Sequence, residues 1–398
     1  MYEWYDFSLK ETGVRFDYVL LFLIMFFIFI VSSRHIAKSI HNKSAEYWKK
    51  AVIPIIIFSL IEGMRYARGV DYIVYLYKYI YALDSFFEDE PLFMFFNGVL
   101  KQLGLPYWGA FIAYSFLWII GVFSFCRQFR YMAYLCIPFA LIASIPSMEN
   151  LVRQFVSLSF VLMSLSCLLD RKYIQSVLWA IVSFGFHLSS VVVVWIIYMV
   201  YILKRNKCFN LYRVLLLYIF FFFFFELRYI DSFINTVLSA MSLGDLRFAG
   251  YLEQADRWFT SSAVSEAYER SIVGKLALFL FDSILFIMGN RSICKEENLV
   301  LRGKLIVIYN LFIIGAIGMQ AVMGLEIVRR FFRPLYMMWF VVAGHTLYQY
   351  PLRTKIRLNR IFFMIVFLWG YIILVLLCKS ILLFPSQMFI WDSFKYRL

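Results

Sequence analysis

Residues 173–203 read YIQSVLWAIVSFGFHLSSVVVVWIIYMVYIL, some thirty residues of nearly unbroken apolar character. Arg171 and Lys172 precede the run, and Lys204, Arg205 and Lys207 follow it. A helix crosses the hydrocarbon core in about 20 apolar residues. One steep helix would therefore leave its two basic ends on opposite faces of a bilayer. Lys and Arg concentrate on the cytoplasmic side of membrane proteins. Two short spans turning at His187 place both basic ends on that side, so the stretch is read as a hairpin.

The rest of the chain agrees with a membrane fold. Of its 398 residues, 63% are hydrophobic and only 16% charged, against about 45–50% and 25% in soluble domains. Apolar runs near 17–33, 51–64, 107–126, 131–147, 151–169, 173–186, 188–203, 209–227, 271–290, 304–323, 333–350 and 361–384 are read as spans. Helices satisfy their own backbone groups in lipid, and the alternating ten-residue pattern of an outer-membrane barrel is absent. The fold class is thus all-α: a polytopic helical bundle of about twelve transmembrane helices. It is read as one domain over residues 1–398, with longer outward loops near 65–106 and 228–270. The mixed-charge opening MYEWYDFSLKETGVRFD and the long first run do not fit a cleavable signal.

The net charge of +14 in a soluble chain would suggest nucleic acid. Here topology explains it. The segments assigned to the cytoplasm, 34–50, 127–130, 170–172, 204–213, 291–304 and 353–360, hold 21 of the 39 Lys and Arg but 4 of the 25 Asp and Glu. Both termini then lie outside. The six cysteines show no paired spacing and no metal pattern, and are read as packing residues. No nucleophile elbow, P-loop, HExxH or dinucleotide fingerprint occurs.

The informative residues are cations at the outer ends of spans, where charge at bilayer depth is costly and retained for function. Glu62 to Tyr75, EGMRYARGVDYIVY, offers Arg65, Arg68, Asp71, Tyr66 and Tyr72. Arg153 and Gln154 open the fifth span. His187, in GFHLSS, carries the one side chain that titrates near neutrality without help. VRRFFRPLY places Arg329, Arg330, Arg333 and Tyr336 together. Arginine grips phosphate oxygens through a planar fork of donors. The acidic triplet Glu88, Asp89, Glu90 is read as a solvated turn, with a metal site as the sharper alternative, and residues 90–104 as a helix on the membrane surface.

Taken in order, these clusters resemble the EpsG-like branch of the Wzy-type polysaccharide polymerases. The resemblance rests on R-Y-x-x-G-x-D-Y-x-x-Y (Arg65, Tyr66, Gly69, Asp71, Tyr72, Tyr75) and an EPLF segment from Glu90 to Phe93. Arg153 with Gln154 follows, then F-H-x-S at Phe186, His187 and Ser189, then Arg333 three residues before Tyr336. Ala67-Arg68 and Pro334 depart from the family pattern.

The resemblance implies a bacterial inner-membrane enzyme. It would join oligosaccharide repeat units carried on undecaprenyl pyrophosphate at the outer face, for O-antigen, capsule or exopolysaccharide. It also implies a chain-length regulator and a flippase as partners, and no cofactor or metal. Arg153, His187 and Asp71 are then the catalytic candidates. Arg65, Arg68, Arg329, Arg330, Arg333, Tyr336, Tyr66, Tyr72 and Gln154 are the candidates for substrate and pyrophosphate. A flippase of the same lipid-linked sugar stays open as an alternative, and so does a polyprenyl-phosphate-dependent glycosyltransferase or ligase. A flippase would show cations through the depth of the bundle and inverted repeats. The second alternative would use the acidic triplet for a metal.

Overall fold

The computed structural model describes residues 15–38, 44–69, 72–81, 90–148, 151–224, 272–322, 326–350, 360–377 and 389–391. Every regular element among them is helical. The helices are α1 (Phe16–Lys38), α2 (Ser44–Gly63), α3 (Tyr72–Tyr81), α4 (Pro91–Gln102), α5 (Tyr107–Cys126), α6 (Ala133–Met148), α7 (Val152–Leu169) and α8 (Tyr173–Phe186). They continue as α9 (Ser190–Lys204), α10 (Leu211–Ile219), α11 (Ile272–Cys294), α12 (Leu299–Ala321), α13 (Glu326–Tyr336), α14 (Trp339–Gln349) and α15 (Arg360–Leu377). A 3-10 turn, Arg127–Met132, joins α5 to α6, and a π-helical turn, Phe220–Phe224, extends α10.

Among the described residues, five helical stretches are long and apolar enough to cross a membrane: Phe16–Lys38, Tyr107–Ile145, Val152–Leu169, Ile272–Cys294 and Leu299–Ala321. Shorter apolar helices add Tyr173–Phe186, Ser190–Lys204, Leu211–Phe223 and Ile361–Val375. The chain is a multi-pass helical membrane protein. The helix breaks at His187, whose backbone is extended at φ −164°, ψ 121°. The expected turn in the 173–203 run therefore exists as a break. The loop expected at 228–270 lies outside the described residues.

The described helices form two compact units, residues 1–197 with 343–398, and residues 198–342. In the first, α7 is the centre. It packs on α5 and α8, while α2 packs on α5 and α1 on α2 and α6. Of the apolar window of α7, 83% is buried, against 28% for α1, so α1 has a lipid-facing side and α7 has almost none. Lipid tails are as apolar as leucine, so close backbone approach replaces the hydrophobic effect as the cement between helices. The sequence supplies it with glycines. A Cβ at Gly121 would collide with the backbone of Ser159, and one at Gly63 with the backbone of Ile112. Serines then bond across or along helices: Ser59 donates to the Ile55 carbonyl at 2.7 Å and Ser144 to that of Leu141 at 3.1 Å.

In the second unit α12 carries α13 along its side. A Cβ at Gly315 would strike the backbone of Leu335 and Tyr336, and one at Gly318 the ring of Phe332. The reversed order of these contacts makes the two helices antiparallel. VRRFFRPLY thus doubles back against the preceding span, and only the small residues of α12 allow it. Asn310 of α12 ties the 204–209 turn to this unit: its amide donates to the carbonyls of Lys204 and Lys207 at 3.1 Å each, and its oxygen accepts from the backbone N–H of Phe209 at 3.0 Å.

Gly315→Ala is expected to push α13 off α12 and lower stability by about 1–3 kcal/mol, the usual range for overpacking a close contact. Thermal unfolding in detergent, compared with Gly303→Ala, where a Cβ meets nothing within 4 Å, checks it.

Candidate active site

The register of α7 and α8 sets the site. Ser157 Oγ donates to the Ser183 carbonyl at 2.8 Å. Ser164 and Ser176 each donate to the other's carbonyl, at 2.8 and 2.9 Å. The sequence order reverses across these pairs, so α7 and α8 are antiparallel. The first turn of α7 therefore lies beside the last turn of α8, at the end of the pair opposite the tight 170–172 turn. That geometry brings Arg153, in the first turn of α7, next to His187, which caps α8. The start of α4 reaches the same place. Pro91 sits at the first helical position, where its missing N–H is no loss. The absence of a side chain at Gly185 lets Leu92 of α4 lie against α8.

Glu90 precedes α4 and joins the two. Its Oε2 accepts from an Nη of Arg153 at 2.6 Å, and its Oε1 is hydrogen-bonded to His187 Nδ1. The Tyr75 phenol oxygen, from α3, accepts from Arg153 Nε at 3.3 Å and from the Arg153 backbone N–H at 3.4 Å. The side chains of Arg153 and His187 are 28% and 20% exposed, that of Glu90 only 6%. A cation and an imidazole thus stand at an open face with a buried carboxylate behind them. Burial pushes the Glu90 carboxyl up, but the hydrogen bond from His187 and the charge of Arg153 outweigh it and hold the carboxyl below its usual range.

Aromatic side chains wall the site. Phe93 stacks on Tyr114 at 5.5 Å between centroids and meets Tyr75 edge-on at 6.4 Å. Tyr114 donates its hydroxyl to Asn97 of α4, and Tyr79 donates to the Leu105 carbonyl at 2.8 Å. These contacts fix α3 and α4 onto α5, so the residues 65–106 expected as an outward loop contain two packed helices. Phe93 and Leu100 of α4 are buried while Phe95 and Leu103 are open, so the helix expected on the membrane surface is half built into the unit.

The other candidates fall elsewhere. Arg65 and Arg68 are 2% and 0% exposed. Arg65 donates to the Glu62 carbonyl at 2.8 Å and lies over the Phe111 ring. Arg68 approaches the Glu62 carboxylate at 3.9 Å and is sandwiched between Tyr18 and Phe389 at 5.2 and 4.9 Å. The C-terminal Phe389 forms a backbone bridge with Arg65, and Ile390 N–H donates to the Met64 carbonyl at 2.9 Å. Tyr66 and Tyr72 are buried at this junction and meet edge-on at 6.0 Å. The chain turns here through left-handed backbone at Ala67 (φ 50°) and Gly69 (φ 93°); glycine does so freely, alanine at a cost of about 1–2 kcal/mol. Gln154 is buried beside Arg153. Asp71, Glu88 and Asp89 lie outside the described residues.

Arg329, Arg330, Arg333 and Tyr336 all belong to α13 in the second unit, with Arg329 buried. Tyr336 donates its hydroxyl to Asp282 of α11 at 3.1 Å, and Tyr218 of α10 donates to the other Asp282 oxygen at 2.6 Å. Asp282 is fully buried. The sequence reading missed three of these residues as site members. Glu90 is not a solvated turn residue but a buried one. Tyr75 closes the first motif yet was passed over. Asp282 is hidden in an apolar run, where a lone intramembrane acid is itself the signal.

Because the folded carboxyl of Glu90 titrates below its unfolded counterpart, its pairing stabilises the first unit above the ordinary carboxylate range. That contribution is lost as pH falls through the lowered value. The stability gap between wild type and Glu90→Gln is expected to be constant near neutrality and to close in acid. Melting temperatures of both proteins across pH test this; a gap that persists in acid contradicts it.

Comparison with curated proteins and with solved structures gives no match. The sequence profile of the EpsG family matches residues 50–388, the stretch that contains α3 to α15, the Glu90–Arg153–His187 group and the α13 arginines, and the chain belongs to that family.

Proposed function

We propose that this protein is a polysaccharide polymerase of the bacterial inner membrane, a glycosyltransferase that moves a growing glycan from undecaprenyl pyrophosphate onto a lipid-linked repeat unit. The observation that carries the reading is the partly exposed pair Arg153 and His187, held one bond each from a buried carboxylate. The reaction breaks an anomeric C–O bond and releases a lipid pyrophosphate dense in negative charge. A fixed guanidinium stabilises that charge as it develops. The attacking sugar hydroxyl must shed a proton, and an imidazole within reach takes it. Arg153 is assigned the leaving group and His187 the proton.

The location supports the reading. The site lies at the end of α7 and α8 opposite the Asp170–Arg171–Lys172 turn. Under the positive-inside tendency that turn is cytoplasmic and the site faces outward, in a bundle of about twelve spans with both termini outside. On this assignment Arg65 and Arg68 act as framework, holding the first motif to α1 and the C-terminal segment.

The test is the glycan ladder of the source bacterium after deletion of this gene. Single repeat units at the cell surface, with longer chains restored by wild type but reduced by at least about 10²-fold with Arg153→Ala at equal membrane level, support the reading. Lipid-linked units accumulating on the cytoplasmic face would point to a flippase instead. An unchanged ladder rules the polymerase reading out for that glycan.

A further inference from the structure

Glu90 has a carboxylate bonded on both sides and almost no open surface of its own. One oxygen holds Arg153 and the other holds His187. A carboxylate can only accept hydrogen bonds. The imidazole nitrogen facing it, Nδ1, must therefore carry the proton, and the neutral ring then presents its lone pair at Nε2. Without Glu90 either tautomer is open to the ring. The same carboxylate fixes the distance between the base and the cation, because both hang from one rigid group. Its own position is set by packing: Pro91 starts α4 at the next residue, Leu92 lies against the end of α8, and Phe93 is clasped between Tyr75 and Tyr114.

We propose that Glu90 is the positioning residue of this site, locking His187 in the tautomer whose Nε2 accepts the proton of the acceptor hydroxyl and setting Arg153 beside it for the departing pyrophosphate. This rests on the polymerase reading and extends it. In the step, the acceptor O–H proton passes to His187 Nε2 while the oxygen bonds to the anomeric carbon. The anomeric C–O bond to pyrophosphate breaks, and its electron pair leaves with the phosphate oxygen. The imidazolium so formed carries a proton on each nitrogen and is held by the Glu90 anion. Among the described residues, the charged and titratable groups facing His187 are Glu90 before α4, Arg153 on α7 and, through Arg153, Tyr75 on α3.

The experiment uses the full chain in proteoliposomes, supplied with lipid-linked repeat units extracted from the source bacterium, and follows polymer formation. Glu90→Gln keeps the shape and removes the charge. Its rate is expected to fall by at least about 10²-fold, and Glu90→Asp is expected to recover part of it. The readout that a merely structural role would not move is the tautomer of the His187 ring. A second measurement needs no variant at the carboxylate. In the wild-type protein labelled with nitrogen-15 histidine, four residues in all, the His187 signal, identified by its loss in His187→Asn, should be that of an Nδ1-protonated ring at alkaline pH. A ring protonated at Nε2, or a Glu90→Gln variant as active as the wild type, overturns the role of Glu90 alone. A wild type that forms no polymer from these lipids overturns the polymerase reading, and the proposal with it.

Discussion

A carboxylate buried to 6% exposure inside a membrane protein must be fully partnered, because leaving a charge uncompensated there costs several kcal/mol. Glu90 meets this demand with two partners from two helices, and the demand works in both directions. Arg153 would face the same penalty at the mouth of α7 without an anion. The three side chains therefore order one another, and with them the start of α4, the start of α7 and the end of α8. The antiparallel register set by Ser157, Ser164, Ser176 and Ser183 is what makes the meeting possible. A slip of one residue between α7 and α8 would turn Arg153 by about 100° around its helix axis and away from His187.

The second unit solves the same problem with different chemistry. Asp282 accepts from two phenols, Tyr218 and Tyr336, one per oxygen. Hydrogen bonds from neutral donors satisfy carboxylate lone pairs. The arrangement ties α10, α11 and α13 together at one point. Because Tyr336 ends α13, that point also determines where the arginines of α13 stand along α12. Glycines 315 and 318 then decide how closely α13 lies on α12. Each unit thus pins an arginine-bearing element through a buried acid.

Much of this was legible in the sequence. Apolar length and basic flanks point to the helical class and to the bounds of helices such as α5, α7 and α8, because both follow from local composition, whereas the span expected at 333–350 is two helices, α13 and α14. The break at His187 was read from charge at the two ends of the 173–203 run. Arg153 and His187 were legible as polar residues at the ends of apolar runs. What was not legible depends on contacts between distant segments. Glu90 stands 63 residues from Arg153 and 97 from His187, and nothing in an acidic triplet before a proline distinguishes a solvated carboxylate from a buried one. The helix α3 and the packing of α4 were also missed. Residues 65–106 are too polar to span a membrane, yet their tyrosines and phenylalanines bury against α5, and burial of that kind has no signature in hydropathy.

The arginines show why residue type alone could not assign roles. Arg153 was read as a catalytic candidate and Arg65 and Arg68 as pyrophosphate ligands, all of them as cations at the ends of apolar runs. Their surroundings separate them. Arg65 and Arg68 have their guanidinium groups against aromatic faces and main-chain carbonyls, and exposures of 2% and 0%. A phosphate could reach them only by displacing Phe389, Tyr18 or Phe111, giving up packing and cation–π contacts worth about 0.5–2 kcal/mol apiece. Arg153 keeps 28% of its side chain open and is partnered from behind, so an incoming anion adds to its contacts without displacing a packed ring. The difference between a framework arginine and one available to substrate is therefore the side from which its charge is already satisfied.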